Sequence, residues 1–250
     1  KSLNIEQTSS EIAARYKSEI VSGKSLFDLT GGFGVDSYFF GQKVDSIVHC
    51  ELDPELSQIA QHNFKVLGIQ NVQPVTADGL EYLKKSDRKW DWIYIDPSRR
   101  DEVKGKVVKL EDCLPDVPDN LEFLFTKSNN LLLKTSPLLD LQIGISSLKF
   151  IKEIHVVAVE NEVKELLWVI QKGFHDEPLI KTINLNKHGI QEFSFLISEE
   201  KLAKSNFSMP LSYLYEPNAA LMKSGAFKSL ASHFNIFKLH RHTHLYTSDQ

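Results

Sequence analysis

Four carboxylates in the first half of the chain, Asp28, Glu51, Asp78 and Asp96, each follow a short apolar run, and three glycines crowd behind the first of them. The stretch from Leu26 to Asp36 reads Leu-Phe-Asp-Leu-Thr-Gly-Gly-Phe-Gly-Val-Asp. Glycines at such a point let the backbone turn tightly and approach a ligand where a Cβ would block it. A strand that feeds a dinucleotide site stays apolar up to its first glycine, because an arriving pyrophosphate repels a carboxylate. Asp28 suits a cation instead, and an ionised acid on a buried strand needs a partner. Glu51 stands 19 residues after Gly32, the offset at which a strand-end acid accepts hydrogen bonds from ribose hydroxyls. Any one of these acids, Asp78 above all, also reads as a helix cap or turn former. Four in succession are hard to attribute to capping.

The elements that must position them follow from the pattern. Leu26–Asp28, Ser46–Glu51, Val72–Thr76 and Trp90–Asp96 read as strands, and a helix runs from Pro54 to about Leu67. Pro is tolerated in a first helical turn, where its missing N–H costs nothing. A fifth strand is expected over Asn129–Thr135 after a helical stretch near Leu121–Ser128, and a sixth over Glu153–Val159. Val163, Leu166, Leu167 and Ile170 keep helical spacing and predict a core-packing helix over Glu162–Gln171. Leu179–Leu185 and Gln191–Ile197 read as a closing strand pair around Lys187-His-Gly. Alternating strands and helices imply a mostly parallel sheet covered on both faces, whose strand ends line the ligand crevice. Arg99–Val117 and Leu138–Leu148 read as long loops of the substrate-facing kind. Beyond a polar boundary at Glu199–Pro210, helices are expected over Ala219–Met222 and Phe227–Phe234. Leu239–Tyr246 alternates like a strand, setting His240, His242 and His244 on one face. Neighbouring histidines on one strand rarely close a tetrahedral metal site, so they are read as polar surface and no metal is expected.

S-adenosylmethionine, whose amino-acid tail carries an ammonium, is a ligand of the kind Asp28 suits. Asp28-Leu-Thr-Gly-Gly-Phe-Gly, Cys50-Glu51-Leu-Asp-Pro, Ala77-Asp78 and Ile95-Asp96-Pro97 resemble the ordered motifs of class I S-adenosylmethionine-dependent methyltransferases. The resemblance is closest to a bacterial group with a C-terminal THUMP-like domain. It extends to Ser10-Glu11-Ile-Ala-Ala-Arg15-Tyr16-Lys17, to Asp96-Pro-Ser-Arg-Arg100 and to Tyr215-Glu-Pro-Asn-Ala-Ala220. The core also resembles enzymes that methylate the exocyclic amine of an RNA cap guanine. The resemblance implies an α/β, Rossmann-like, seven-stranded methyltransferase sheet with helices on both faces and a small C-terminal α+β module. The domains expected are an N-terminal helical segment over 1–22, a methyltransferase domain over 23–200 and a THUMP-like module over 201–250. It implies S-adenosylmethionine as cofactor, held by Asp28, Thr30, Gly31, Gly32, Gly34, Glu51, Leu52 and Asp78. Asp96, Pro97, Arg99 and Lys134 would serve catalysis, and Arg15, Tyr16, Arg99 and Arg100 would meet the substrate, with RNA the expected partner.

The chain departs from the amino-methyltransferase pattern at one place: Ser98 replaces a second Pro and Arg99 an aromatic that would stack on a base. Arg99 and Arg100 either clamp a phosphate bidentately or pair with Asp101 and Glu102. Lys134 either faces the substrate or is a snorkelling surface lysine. A nicotinamide-dependent oxidoreductase is disfavoured by Ser37 at the third glycine position and by Asp28. A catalytically silent binder of cofactor and RNA, and a methyltransferase of proteins or small molecules, stay open.

Composition sets bounds. At 250 residues, 42% hydrophobic and 25% charged, the chain has room for one full α/β core and an appendage. Cys50 and Cys113 lack metal spacing and suggest a reduced, cytoplasmic protein. No apolar run approaches the roughly 18 residues of a membrane span, and no signal peptide is visible. The missing initiator Met reads as a piece of something longer. The last fifty residues hold six basic and two acidic side chains, so the net charge of −4 divides into about +4 there and −8 before it. Such asymmetry fits a basic module serving an acidic catalytic one, or a solvated lysine surface.

Overall fold

The computed structural model describes residues 8–99 and 109–250. The described residues divide into two compact units, one lying within residues 1–150 together with 168–174 and the other comprising residues 151–167 and 175–250.

The first unit runs α1 (Glu11–Ser18), β1 (Ser25–Asp28), α2 (Val35–Phe40), β2 (Ser46–Glu51), α3 (Pro54–Val66), β3 (Val72–Thr76), α4 (Gly79–Lys85) and β4 (Trp90–Ile95). It continues through β5 (Ser98–Arg99), β6 (Cys113–Leu114), α5 (Val117–Lys127), β7 (Ser128–Thr135) and α6 (Leu141–Ser147). Short polar residues start the helices as their chemistry dictates. Asp53 caps α3, accepting from the amides of Glu55 and Leu56, with Pro54 in the first turn. Asp78, Asp116 and Asp140 cap α4, α5 and α6 in the same way. Strands β7, β4, β1, β2 and β3 lie side by side in that order. All four pairings are parallel. The chain order reverses between β1 and β4, and in open α/β sheets that is where a crevice opens beyond the strand ends. Leu26, Phe27, Ile47, Val48, Ile93, Ile95 and Leu131 are buried in this sheet. The stretch Leu138–Leu148, expected as loop, instead carries α6, against whose Gly144 the buried Trp168 ring packs: a Cβ there would stand 2.3 Å from the indole. That indole donates to Thr135 Oγ1 at 3.0 Å.

The second unit holds β8 (Ile151–Val159), most of β9 (Glu162–Gln171), β10 (Leu179–Asn186) and β11 (Gly189–Leu196). Then follow α7 (Ile197–Leu202), β12 (Tyr213–Tyr215), α8 (Ala219–Ser224), α9 (Phe227–Phe234), β13 (Phe237–Lys238) and β14 (Tyr246–Ser248). β8 and β10 pair in parallel and β10 with β11 antiparallel, closing the expected hairpin. The expected helix over Glu162–Gln171 is a strand. Glu160 and Asn161 both adopt positive φ, 48° and 63°, as the hairpin turn most compatible with strand twist requires. Leu166 to Ile170 then form one continuous buried run, the mark of a strand covered on both faces.

A separate antiparallel sheet of order β12-β14-β13 packs Tyr246 against Leu230 and Ala231 of α9. The expected strand over Leu239–Tyr246 is not formed. Leu239 N–H bonds to Leu245 C=O at 3.1 Å and Thr243 N–H to His240 C=O at 3.2 Å, so the segment is a looped connection. The His240 and His242 rings lie 5.3 Å apart, and His244 stacks on Phe227 at 3.9 Å. Among the described residues no helix is long and apolar enough to cross a membrane, and no group of three or more metal-type ligands assembles.

Candidate active site

At the C-terminal ends of β1 to β4 the first unit opens a cleft of about 730 Å³, within the roughly 300–1,000 Å³ of small-molecule sites. The loop Thr30–Gly34 forms one wall, with Glu51, Leu52, Asp78, Asp96 and Lys134 also lining it. Asp28 does not line it, although β1 ends there.

The acids at the ends of β1 and β2 have different surroundings. Asp28 is fully buried beneath the glycine loop. Its carboxylate accepts from Ser37 Oγ at 2.5 Å and from the Thr30 amide at 3.3 Å, with His49 Nδ1 at 3.3 Å. Glu51 faces the cleft and bridges two loops: Oε2 accepts from Gly32 N–H and Oε1 from Asp53 N–H, both at 2.7 Å. Each oxygen keeps a second lone pair for an incoming hydroxyl.

The glycines serve the loop more through protein packing than expected. A Cβ at Gly31 would stand 2.6 Å from the His49 ring, and one at Gly34 would stand 2.4 Å from Phe64. Gly32, at φ 64°, has open space around its missing Cβ, so its requirement is conformational. Leu52, 68% exposed, offers an apolar lip to the cleft. Asp78 caps α4 by accepting from Glu81 N–H at 3.0 Å, and it also lines the cleft.

Two ion pairs contribute to the cleft wall, one through both partners and the other through its aspartate alone. Lys134 Nζ, from the end of β7, meets Asp96 Oδ2 at 2.5 Å, and the Asp96 amide donates to Thr30 Oγ1 at 2.7 Å. Asp96 keeps about a third of its side chain open, 37%, against 12% for Lys134. Burial of the carboxyl raises the Asp96 pKa, outweighing the opposing pull of the Lys134 ammonium. Sequence reasoning missed the second pair. Lys17 Nζ of α1, with no exposed surface, meets Asp36 Oδ1 of α2 at 2.9 Å. Tyr94 Oη donates to Asp36 Oδ2 at 2.6 Å and Ser9 Oγ to the same oxygen at 3.1 Å. Burial works to raise the Asp36 pKa, but Lys17, then Lys134 and Tyr94, overcome it and bring it down to about 2. Lys17 lies inside the Ser10–Lys17 motif, the one signal that could have singled it out.

The other residues named from sequence are dispersed. Arg15 is exposed, pairs with Glu11 at 3.0 Å and sits in a neighbouring groove. Tyr16 is half-buried on α1 and lines neither cavity. Pro97 precedes Ser98, which lines the cleft where Pro97 does not. The backbone of Arg99 pairs with Cys113 in the β5–β6 ladder, and Arg100 lies outside the described residues. Cys50 donates to Ala77 C=O at 3.3 Å, and burial first, then Asp28, Asp78 and Glu51, push its thiol up to about 12. It supplies no thiolate nucleophile.

Comparison with known proteins bears on this geometry. Residues 213–250 match a ferredoxin-like domain family. The chain is similar over its whole length to a Porphyromonas gingivalis W83 protein that carries a provisional methyltransferase name, with 35% identity and a TM-score of 0.91. It is 30% identical over 99 residues, 37% of its length, to an uncharacterised RNA methyltransferase of Clostridium acetobutylicum. M. capricolum TrmK, solved with S-adenosyl-homocysteine, aligns with 68% of the chain and 70% of its own at 14% identity and a TM-score of 0.51, a likeness of fold. The chain spans 63% of the P. gingivalis protein and 22% of the C. acetobutylicum one. Its fold is that of methyltransferases: a mostly parallel sheet flanked by helices, with a small C-terminal sheet.

Proposed function

We propose that the chain is an S-adenosylmethionine-dependent methyltransferase whose acceptor is carried on RNA. The single observation that supports this best is the cleft itself. It brings Glu51 fixed by two backbone amides, the Thr30–Gly34 loop, Asp78 and the Asp96–Lys134 pair to one crevice at the strand switch. Its volume suits the cofactor, and so does its donor set: a hydroxyl-accepting carboxylate, an apolar lip at Leu52 and a strand-end acid at Asp78 for an adenine amine. Thr30, Gly31, Gly32 and Gly34 would hold the methionine end. Asp28, placed beneath the loop, would act by fixing its shape through Thr30 and Ser37 rather than by touching the ligand.

When bound, the sulfonium supplies an already activated methyl group, so the protein's task is alignment and exclusion of water. Asp96, oriented by Lys134 and by Thr30, would accept the acceptor's proton or its hydrogen bond. Pro97 would fix the turn that aims it. A nitrogen acceptor fits this site, since its lone pair attacks without prior deprotonation and a carboxylate suffices to take the released proton. Arg15, Tyr16, Arg99 and Arg100 would contact RNA phosphates or bases. The RNA reading is supported by the name of the Clostridium relative and by the charge of about +4 on the last fifty residues. We read those residues as a THUMP-like module that engages the RNA, and the free Cys50 and Cys113 as fitting a cytoplasmic setting.

Calorimetric titration with S-adenosylmethionine and NAD, followed by transfer of a labelled methyl group to bulk RNA, tests this reading. Saturable binding of S-adenosylmethionine and RNA labelling are expected. Binding of NAD alone overturns the cofactor, and labelling of protein but not RNA overturns the substrate class.

A further inference from the structure

A second cavity of about 620 Å³ adjoins the cleft and shares with it Ser9, Phe33, Gly34 and Val35. Its other walls come from α1, α2 and α3. Flat groups dominate it. Phe39 forms a T-shaped pair with Tyr38, ring centroids 5.0 Å apart, and the Arg15 guanidinium sits over Phe39 at 5.2 Å. Phe39 itself is buried, and the half-buried rings presented to the cavity are those of Tyr38 and of Phe33, the latter from the glycine loop itself. Gln42, His62 and Asn63 line the same cavity, and their side chains form no hydrogen bond with other described residues. Their donors and acceptors face solvent.

Stacking planes ringed by unengaged amide and imidazole groups match the chemistry of an unstacked nucleobase, with its π faces and hydrogen-bonding edges. An aliphatic ligand would leave the amides unused, and a bare phosphate would leave the rings unused. We propose that this groove holds an unpaired base of single-stranded RNA flanking the target nucleotide. The shared wall at Phe33 to Val35 makes the two sites neighbours along one strand. The inference rests on the RNA-methyltransferase reading and assigns to it a specificity site outside the reaction cleft.

The test is an anisotropy titration of a short fluorescein-labelled single-stranded RNA with the full chain, alongside calorimetry with S-adenosylmethionine on the same samples. Tyr38→Leu is expected to weaken RNA binding about ten-fold, as loss of one stacked base does, while Tyr38→Phe retains it. The double variant Arg15→Ala/His62→Ala alters two exposed side chains and is expected to weaken RNA binding several-fold. All variants should bind S-adenosylmethionine as the parent does. RNA affinity within about two-fold of the parent for both Tyr38→Leu and the double variant overturns the groove. A parent that binds the cofactor but no RNA overturns the RNA reading, and the groove falls with it. A parent that binds RNA through Tyr38 without binding S-adenosylmethionine keeps the groove and removes the cofactor reading.

Discussion

Lys17–Asp36 and Lys134–Asp96 are two lysine–aspartate pairs at one cleft, and their environments drive them to opposite ends of carboxylate behaviour. Asp36 receives a buried ammonium, a phenol and a serine hydroxyl, so its charge is fixed and its pKa falls to about 2. Asp96 receives Lys134 on one oxygen and remains partly open, and burial lifts its pKa. The same two residue types thus make a strut in one place and a titratable group in the other. A carboxylate saturated with donors holds a shape; one left partly satisfied is available to take a proton.

That contrast can be broken in order of expected effect. Asp96→Asn should lower methyl transfer by about 10²- to 10⁴-fold with cofactor affinity retained, measured by labelled-methyl incorporation beside calorimetry. Equal loss in both readouts would return Asp96 to a structural role. Lys17→Met leaves Asp36 buried without its counter-charge and should cost about 3–5 kcal/mol of stability, read from urea unfolding. A variant as stable as the parent would show that Tyr94 and Ser9 alone can hold the carboxylate. Glu51→Gln keeps the shape but turns an amide NH₂ toward a backbone N–H. Loss of a charged hydrogen bond of about 1.5–3 kcal/mol predicts cofactor affinity at least about ten-fold lower, whereas unchanged calorimetry would leave the ribose role unsupported.

The pH dependence of stability sharpens the comparison further, because the two signs differ. Asp36 has a folded pKa below its ordinary 3.8, so its contribution is present above that value and is lost as pH falls toward about 2. Asp96 has a raised pKa, so it favours the folded state when protonated, and that advantage is lost as pH rises through the raised value. Unfolding midpoints of the parent and of Asp36→Asn and Asp96→Asn, taken across the acidic range, should separate the two limbs. Parallel profiles for both variants would contradict the assignment.

How much of this was legible in the sequence depends on how local the cause was. The strand-end acids could be read because each follows its apolar run directly, and Pro54 and Asp53 announce α3 within three residues. Lys17, Asp36 and Tyr94 could not be joined, since only packing of α1 on α2 and the β1–β4 register bring them together. Asp28 was read from sequence as a cofactor-holding acid at a strand end; it stands at that strand end, beneath the loop and off the cleft lining. Alternation along β1 says which neighbour it follows, and not that Ser37 and His49 enclose it. The error over Glu162–Gln171 came from four positions at helical spacing, three of which belong to a longer unbroken apolar run that periodicity alone does not assign to helix or strand. The unbroken run Leu166–Ile170 and the Glu160-Asn161 turn before it carried the correction. The histidine segment alternates on paper, but too few of its backbone groups meet a partner strand to make it one.

The bridge that Glu51 makes between the amides of Gly32 and Asp53 has a thermodynamic consequence. Two loops that follow different strands are tied by one side chain of the protein itself. The conformational entropy of ordering them is therefore lost during folding, and association does not have to supply it again. Affinity in such a cleft is set by what the ligand adds to an already organised surface, and cutting the tie would slow capture as well as weaken it.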